Sequence, residues 1–539
     1  MNALDFRKRA IMSVINNVKG FERSVSGTSV TLEGCVDDDS IIDYKIYGNC
    51  FQDGEPSIEN PIEVQCVGDR TKNLITATDG YIVKHAENRY IKYDAKTQVF
   101  TIQGSGFLTY INLPETIPSG TTTSIFVEIV NDDYEFVKGS MNIGGYGIVS
   151  SWQNLLSFSA TSQKKQSRVY TITEDTDKIC MFVDANASVK NVQVRITYAV
   201  CDTEFTEYEP YGYKIPITAS GKNLFNENLL SGGYGIEEYN GVRCLKFADG
   251  SEENCFKITY DFKENTAYSI TMTIYSNNTN TMNLRVYYTD GTYITINTGQ
   301  TKINETFWFS IRKSSKTVAY ICACDSWMAT RYLDLTTLQI EEGSKATEYE
   351  PYYEPITTNI YLDEPLRGID SYLDCVGYKN ENVTREVWKM YFTDMSAIYM
   401  GEGYASAGNG FYNNGICFPS GNPNNIYAMK IMTAGGGFCN KLPNHKGNYY
   451  IVTKESLRFG QVQRGIILYT SLDSKDKTEV FNHIGAEDCY AVYILNNSFE
   501  TPITLPKLPT FKGTTIYTVG TSLQPANIEI KYYSNEKGE

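Results

Sequence analysis

The sequence predicts an all-β protein made of tandem β-sandwich (jelly-roll) domains, with a short N-terminal helix and a C-terminal β-rich domain. Three observations point there. Apolar residues recur at every second position through most of the chain, the period of a strand with one face on a core. Tyr is abundant, 42 residues in 539, and aromatic side chains favour pleated, half-buried surfaces. The hexapeptide Thr-Glu-Tyr-Glu-Pro-Tyr stands at Thr206–Tyr211 and again at Thr347–Tyr352, which marks a repeated module edge.

Taken in order, the first element is residues 1–25. Leu4, Ile11, Ile15 and Val18 fall on one stripe and Gly20 sits where a helix stops. Two heptads do not hold a helix alone in water, so the stripe is expected to dock on a partner, on other copies or on its own domain. No long apolar segment follows Arg7, Lys8 and Arg9, so no secretory leader is expected. Residues 26–70 form a β attachment segment.

The first repeat covers 71–213 and the second 221–355. Each opens on Lys-Asn-Leu (Lys72–Leu74, Lys222–Leu224) and closes on Glu-Tyr-Glu-Pro-Tyr. Inside them Val192, Val194, Ile196 and Tyr198 alternate with Gln193, Arg195 and Thr197. Ile270, Met272 and Ile274 alternate with Ser269, Thr271 and Thr273, and Leu284 and Val286 with Asn283, Arg285 and Tyr287. These read as half-buried strands. Asp290-Gly291 is a hairpin turn between two such runs. The joints at 212–220 and 353–365 carry Pro and small polar residues and read as edge-strand linkers. A C-terminal β-rich recognition domain spans 366–539. Its one helix lies within Asp473–Gly485, with Asp473 and Ser474 as caps and Val480 and Phe481 facing inward.

Composition excludes several classes. Net charge is −15, the wrong sign for a duplex-binding face, so no nucleic acid is expected. No run of about 18 apolar residues exists, so no membrane insertion is expected. Thirteen scattered Cys suit a protein folded in a reducing compartment. Cys322 and Cys324 share a strand face without further ligands at zinc-finger spacing, so no metal site is assigned. A structural Ca²⁺ held by Asp and carbonyl oxygens is the one ion the composition leaves room for. His85, His445 and His483 are too few and too far apart in sequence for His-based catalysis, and no catalytic residue is named. A carboxylate pair distant in sequence remains the one route to hydrolysis.

Ligand recognition by a sandwich needs flat aromatic groups beside polar ones. Trp152 and Trp327 lie in polar segments just past apolar runs, where each tops a rim loop or plugs the end of a core. Trp388 follows the alternation and reads as core. Tyr399, Tyr404, Phe411 and Tyr412 stand among Gly, Asn and Ser in Tyr399–Gly415, the composition of a recognition loop or of a Gly-rich hairpin with its aromatics turned in.

Several stretches resemble one family. Leu338–Tyr352 is similar to the closing strand and tail of carbohydrate-binding jelly rolls. Tyr44–Asp69, Glu364–Phe392 and Leu508–Ser534 resemble segments of minor structural and receptor-binding tail proteins of phages and prophages of Gram-positive bacteria. Cys50 and Cys66 stand where that pattern has small polar residues, and Thr393–Asn440 matches no part of it. The resemblance implies a non-enzymatic tail spike or fibre protein of a phage or tailocin, located in the virion tail after folding in the host cytoplasm and release by lysis. It implies a homotrimer with other tail or baseplate proteins and a host cell-surface glycan as partners. In that picture the first 70 residues attach to the tail, the sandwiches extend outward and the last domain meets the cell. The alternatives are a wall or capsule polysaccharide depolymerase with accessory sandwiches, and a purely structural baseplate component.

Overall fold

The computed structural model describes residues 21–35, 42–75, 82–83, 91–147, 152–248, 256–276, 283–297, 305–324, 330–377, 381–392, 399–400, 405–408, 411–417, 437–442, 456–459, 465–474, 476–485, 488–521 and 526–534. The protein is all-β and built of jelly-roll sandwiches. The expected N-terminal helix lies outside the described residues, which open on the strand Phe21–Gly27.

The two repeats share one topology. In the first, one sheet runs in the spatial order Trp152–Phe158, Met141–Gly147, Thr176–Val183, Phe107–Ile117, Ile82–Val83. In the second, the corresponding sheet runs Tyr293–Asn297, Asn283–Tyr288, Val318–Cys324, Phe256–Ile258, Leu230–Gly232. The facing sheets correspond as well. Lys165–Thr171, Thr122–Ile129, Ser188–Ala199, Val99–Gly104 and Ile91–Asp94 answer to Thr306–Ile311, Tyr268–Tyr275, Thr330–Asp334, Val242–Ala248 and Tyr234–Tyr239. The long strand Ser188–Ala199 is replaced in the second repeat by two short ones, Thr330–Asp334 and Gln339–Glu342. Each repeat closes over its own core, Phe100, Ile111, Val127, Met181 and Val194 in one, Phe247, Ile258, Met272, Leu284 and Ile321 in the other.

The repeated motif works as a clasp. Buried Asn73 donates through Nδ2 to the carbonyls of Ile196 (3.1 Å) and Glu209 (3.0 Å), and its Oδ1 accepts from the amides of Ile75 and Tyr198, both at 3.1 Å. Asn223 does the same with the carbonyls of Leu338 (3.2 Å) and Glu350 (3.0 Å) and the amides of Phe225 (3.0 Å) and Ile340 (3.1 Å). One carboxamide therefore ties the entry of a repeat to its last strand and its exit. Asn alone offers two donors and two acceptor lone pairs on so short a stem.

The exit tail then covers the outer face of the second sheet. In the first repeat Glu209 exchanges backbone bonds with the Thr197 hydroxyl. In the second Ser269 donates to the Lys345 carbonyl, and Gln339 holds the Glu350 amide at 2.8 Å. This corrects the half-buried reading of Tyr268–Tyr275. Ser269, Thr271 and Thr273 are buried along with Ile270, Met272 and Ile274.

The joint Tyr213–Ser220 is an interior strand and not an edge linker, whereas Ile356–Leu362 takes the edge of its sheet. Tyr213–Ser220 and Ile356–Leu362 pair with each other antiparallel, and Tyr213–Ser220 pairs on its other side with Gly513–Val519. With Ser29–Cys35 and Asp69–Arg70 they make one sheet of a third sandwich. The facing sheet runs Phe21–Gly27, Asn527–Ser534, Ile42–Tyr47, Cys375–Gly377, Asn382–Tyr391, Tyr490–Pro502, Gly437–Cys439. Leu32, Ile46, Ile215, Ile360, Val376, Tyr517 and Ile528 fill the core between them. The expected division into an attachment segment at 26–70 and a separate domain at 366–539 is thus corrected. The two interleave, and both repeats enter and leave through the same sheet. A foot and a head at opposite ends of a row do not describe this connectivity.

The third sandwich grips the second repeat through Glu350. Its carboxylate accepts from the Thr514 amide (2.8 Å) and hydroxyl (2.9 Å) and pairs with Lys222 at 2.9 Å. Gly513, at φ +96°, leaves room for it, since a Cβ there would stand 2.6 Å from the carboxyl carbon. At another point of the sandwich lies a buried ion pair. Asp374 accepts from Arg385 Nη1 (3.0 Å) and from the amides of Arg367 (3.0 Å), Glu386 (2.8 Å) and Val387 (2.9 Å). Of the other C-terminal strands, Gly368–Ile369 pairs with Tyr372–Leu373, and Tyr399–Met400, Ala405–Gly408, Phe411–Cys417, Ser456–Phe459 and Gly465–Thr470 form a sheet of their own. The helix Lys477–His483 buries Val480 and Phe481, but its cap is Asp476, which accepts from the amides of Thr478 and Glu479. Asp473 and Ser474 fall too early for that role.

Asn73→Ala and Asn223→Ala are each expected to lower stability by roughly 3 kcal/mol or more, because each strands two buried carbonyls and two amides. Urea unfolding of the full chain checks this, and loss of the matching repeat's transition alone is the expected signature. Asp374→Ala leaves Arg385 buried without its partner and is expected to cost about 3–5 kcal/mol by the same measurement.

Candidate functional site

The exit tail of the second repeat runs over one of its sheets, and the outer face of the other carries a cluster of tyrosines. Leu284, Val286, Ile258 and Ile321 point into the core, so their strand neighbours point away from it. Register sets these neighbours in two adjacent rows. Lys257, Cys322, Arg285 and Thr295 form one; Tyr320, Tyr287 and Tyr293 form the other.

The tyrosines form a ladder across three strands. Tyr287 stacks on Tyr320 with centroids 4.8 Å apart and planes 17° from parallel, and meets Tyr293 at 5.1 Å and 38°. Neighbouring strands lie about 4.8 Å apart, so one ring per strand gives this spacing directly. Cations close both ends. Lys257 Nζ sits 4.8 Å from the Tyr320 centroid and Arg285 Cζ 4.8 Å from that of Tyr293. Arg285 also donates to the Tyr287 hydroxyl at 3.2 Å. The middle ring is the most buried: Tyr287 is 9% exposed, Tyr320 is half-buried and Tyr293 is 50% exposed. Neither row contains a carboxylate. The face offers a half-open ring, phenolic hydroxyls and two cations within one patch. It suits a hydroxyl-rich or anionic ligand that also has an apolar side.

A second tyrosine group, Tyr239, Tyr275 and Tyr332, lies on the opposite sheet, with Tyr239 and Tyr332 stacked at 4.0 Å. Its polar groups are engaged internally. Tyr275 donates to Asp334 at 3.1 Å, and Lys246 pairs with Glu237 at 3.1 Å.

The residues singled out from sequence fall elsewhere. Trp327 and Tyr404 lie outside the described residues. Tyr399, Phe411 and Tyr412 are on strands Tyr399–Met400 and Phe411–Cys417, so the backbone of this stretch is a sheet, with Tyr412 opposite Ser406 and Thr470. Trp388 packs on Phe499 at 5.7 Å beside the C-terminal core. Trp152 takes the register position that Tyr293 takes in the second repeat. It pairs with Tyr146 as Tyr293 pairs with Tyr287. Trp308, 46% exposed between buried Phe307 and Phe309, escaped notice although the period of two already turns it outward.

Tyr287→Ala, which removes the middle of the ladder, is expected to destabilise the second repeat by about 2–4 kcal/mol. Tyr293→Ala is expected to cost no more than about 1 kcal/mol. Denaturant unfolding of the two variants side by side measures the difference.

No family model matches the chain, and no curated protein does. Solved structures that resemble it include the N-terminal CBM22-1–CBM22-2 tandem domain of Paenibacillus barcinonensis Xyn10C, at 12% identity and TM-score 0.22, over 51% of this chain and 98% of that one. The PBSX exported protein XepA aligns at 11% identity and TM-score 0.13, over 53% of this chain and 93% of its own. A triple jelly-roll turret protein of an archaeal virus aligns at 11% identity and TM-score 0.13, over 58% and 81%. These likenesses are distant, concern the sandwich fold and bear on no ligand of this chain.

Proposed function

We propose that this chain is a structural tail spike or fibre protein of a phage or tailocin, and that it binds a host cell-surface glycan through the outer face of its second sandwich. The carrying observation is the tyrosine ladder flanked by Lys257 and Arg285 in rows free of carboxylate, within a chain of net charge −15. A pyranose ring presents C–H groups on its faces and hydroxyls around its rim. Tyr293 supplies apolar surface, while the phenols and the two cations supply polar partners. The ladder is about 10 Å long at one strand spacing per step, enough for roughly two sugar rings.

The assembly follows the family resemblance: a homotrimer attached to other tail or baseplate proteins, without catalytic activity and without nucleic acid. Several tethered copies turn weak single sites into tight overall attachment. The Tyr399–Tyr412 stretch, Trp152 and Trp327 are retained in this proposal as further contact regions.

The test is pull-down of purified full-length protein on isolated wall polysaccharide and whole Gram-positive cells. The double variant Tyr293→Ala/Tyr320→Ala is expected to bind about tenfold or more weakly, the equivalent of roughly 1.4 kcal/mol, while keeping its far-UV circular dichroism. Undiminished binding by a folded double variant would place the site elsewhere. Shortening of the polymer during incubation would favour the depolymerase alternative.

A further inference from the structure

Two pairs of thiols lie within reach of each other among the described residues. Cys50 Sγ and Cys66 Sγ are 3.6 Å apart, and Cys439 Sγ and Cys489 Sγ are 3.7 Å apart. The pairs differ in access. Cys439 and Cys489 are both buried, whereas Cys66 is partly exposed beside buried Cys50. Cys50 and Cys66 also face each other as register partners of a two-stranded ladder, Cys50–Phe51 with Gln65–Cys66. Opposed residues of an antiparallel pair have Cβ atoms about 4.5–5.5 Å apart, close to the 3.5–4.5 Å that a disulfide spans. Closure needs side-chain rotation and a small approach of the two strands.

The hairpin between these cysteines joins the N-terminal and C-terminal parts of the third sandwich. Gln52 Nε2 donates to the carbonyls of Ile62 and Cys439, both at 2.8 Å. The Ile62 amide donates to the Asn440 carbonyl at 2.7 Å, and the Val64 amide to the Tyr490 hydroxyl at 2.9 Å. The Val67–Leu366 bridge follows directly. A covalent link at the base of this hairpin fixes a segment that is otherwise held by hydrogen bonds and packing.

We propose that Cys50 and Cys66 form a redox-responsive modification site: reduced when the protein folds, and closed to a disulfide when it meets a low-molecular-weight disulfide oxidant. The Cys66 thiolate attacks one sulfur of the oxidant and expels one thiolate. Cys50 loses its proton to solvent, attacks the Cys66 sulfur of the mixed disulfide and expels the second thiolate. The protein pair gives up two electrons and two protons, and the oxidant is reduced to two thiols. The order of attack follows from the surroundings. The hydrogen bond from Cys50, with the positive charges of Arg367 and Lys389, holds Cys66 below the usual thiol range against burial and the nearby Asp374 carboxylate. Its partner Cys50 is pushed well above that range, first by the same hydrogen bond and then by burial. A low-pKa, accessible thiol beside a protonated one is the arrangement of an attacking and a resolving cysteine.

The experiment uses folded full-length protein, reduced and freed of reductant, then incubated with oxidised glutathione, quenched with an alkylating agent and mapped by mass spectrometry. The expected product is a Cys50–Cys66 linked peptide, formed at least tenfold faster than any Cys439–Cys489 link. The Cys50→Ser variant is expected to stop at a glutathionyl adduct on Cys66, and Cys66→Ser to leave Cys50 unmodified. The linked wild-type protein is expected to unfold at higher urea than the reduced one, with the difference abolished by reductant. A persistent adduct on wild-type Cys66 would overturn the proposal, as would two alkylatable thiols after incubation. So would a Cys50–Cys66 link that forms only in urea. If either Ser variant misfolds, the rate and identity of the wild-type link still decide.

Discussion

Everything in the two repeats hangs on one buried carboxamide in each. Asn73 and Asn223 use all their hydrogen-bonding capacity to hold the entry segment, the last strand and the exit tail at one point. A sandwich whose first and last strands meet in this way returns the chain to where it left. The flanking strands Tyr213–Ser220 and Ile356–Leu362 can then lie side by side in a common sheet. The six repeated letters and the earlier Lys-Asn-Leu are two halves of the same joint, separated in sequence by an entire sandwich. Glu209 and Glu350 extend it, one pairing with Lys214 and the other with Lys222 and Thr514.

The joint also decides which surface a repeat can present. Because the exit tail runs over one sheet, polar residues such as Ser269 and Glu341 there are consumed in holding it. The other sheet carries the tyrosine ladder and its cations. At the register positions of the Tyr320–Tyr287–Tyr293 row the first repeat has Lys178, Tyr146 and Trp152, with a lysine in place of one tyrosine, so equal topology has not produced equal sequences on this face. Duplication of a fold preserves what closes it and leaves the outward positions to diverge.

Much of this was legible in the sequence, and the limit falls at a definite place. Period two assigned Leu284 and Val286 inward and Arg285 and Tyr287 outward, which is how they stand. Alternation is a local property, and any strand reveals its own two faces. It does not reveal which strand lies alongside, so the meeting of Tyr287 with Tyr320 and Tyr293 was out of reach. The same holds for the third sandwich. Nothing local in Ser29–Cys35 announces Gly513–Val519 as its neighbour. The burial of Ser269 is likewise beyond local reasoning, because its hydroxyl is taken by the carbonyl of Lys345 in the exit tail. Val480 and Phe481 announce the short helix, while Asp473, Ser474 and Asp476 all suit its cap by residue type and only backbone geometry selects Asp476.

The interleaving of the third sandwich has a consequence for how the polypeptide matures. The strand Phe21–Gly27 waits for Asn527–Ser534, and Ser29–Cys35 for Gly513–Val519. Each repeat contains its whole core within one continuous stretch and can collapse while the ribosome is still adding residues, whereas the common sandwich closes only after nearly the whole length has emerged. Through most of synthesis its early strands carry unsatisfied edges, a window in which chaperones or sister copies meet them first.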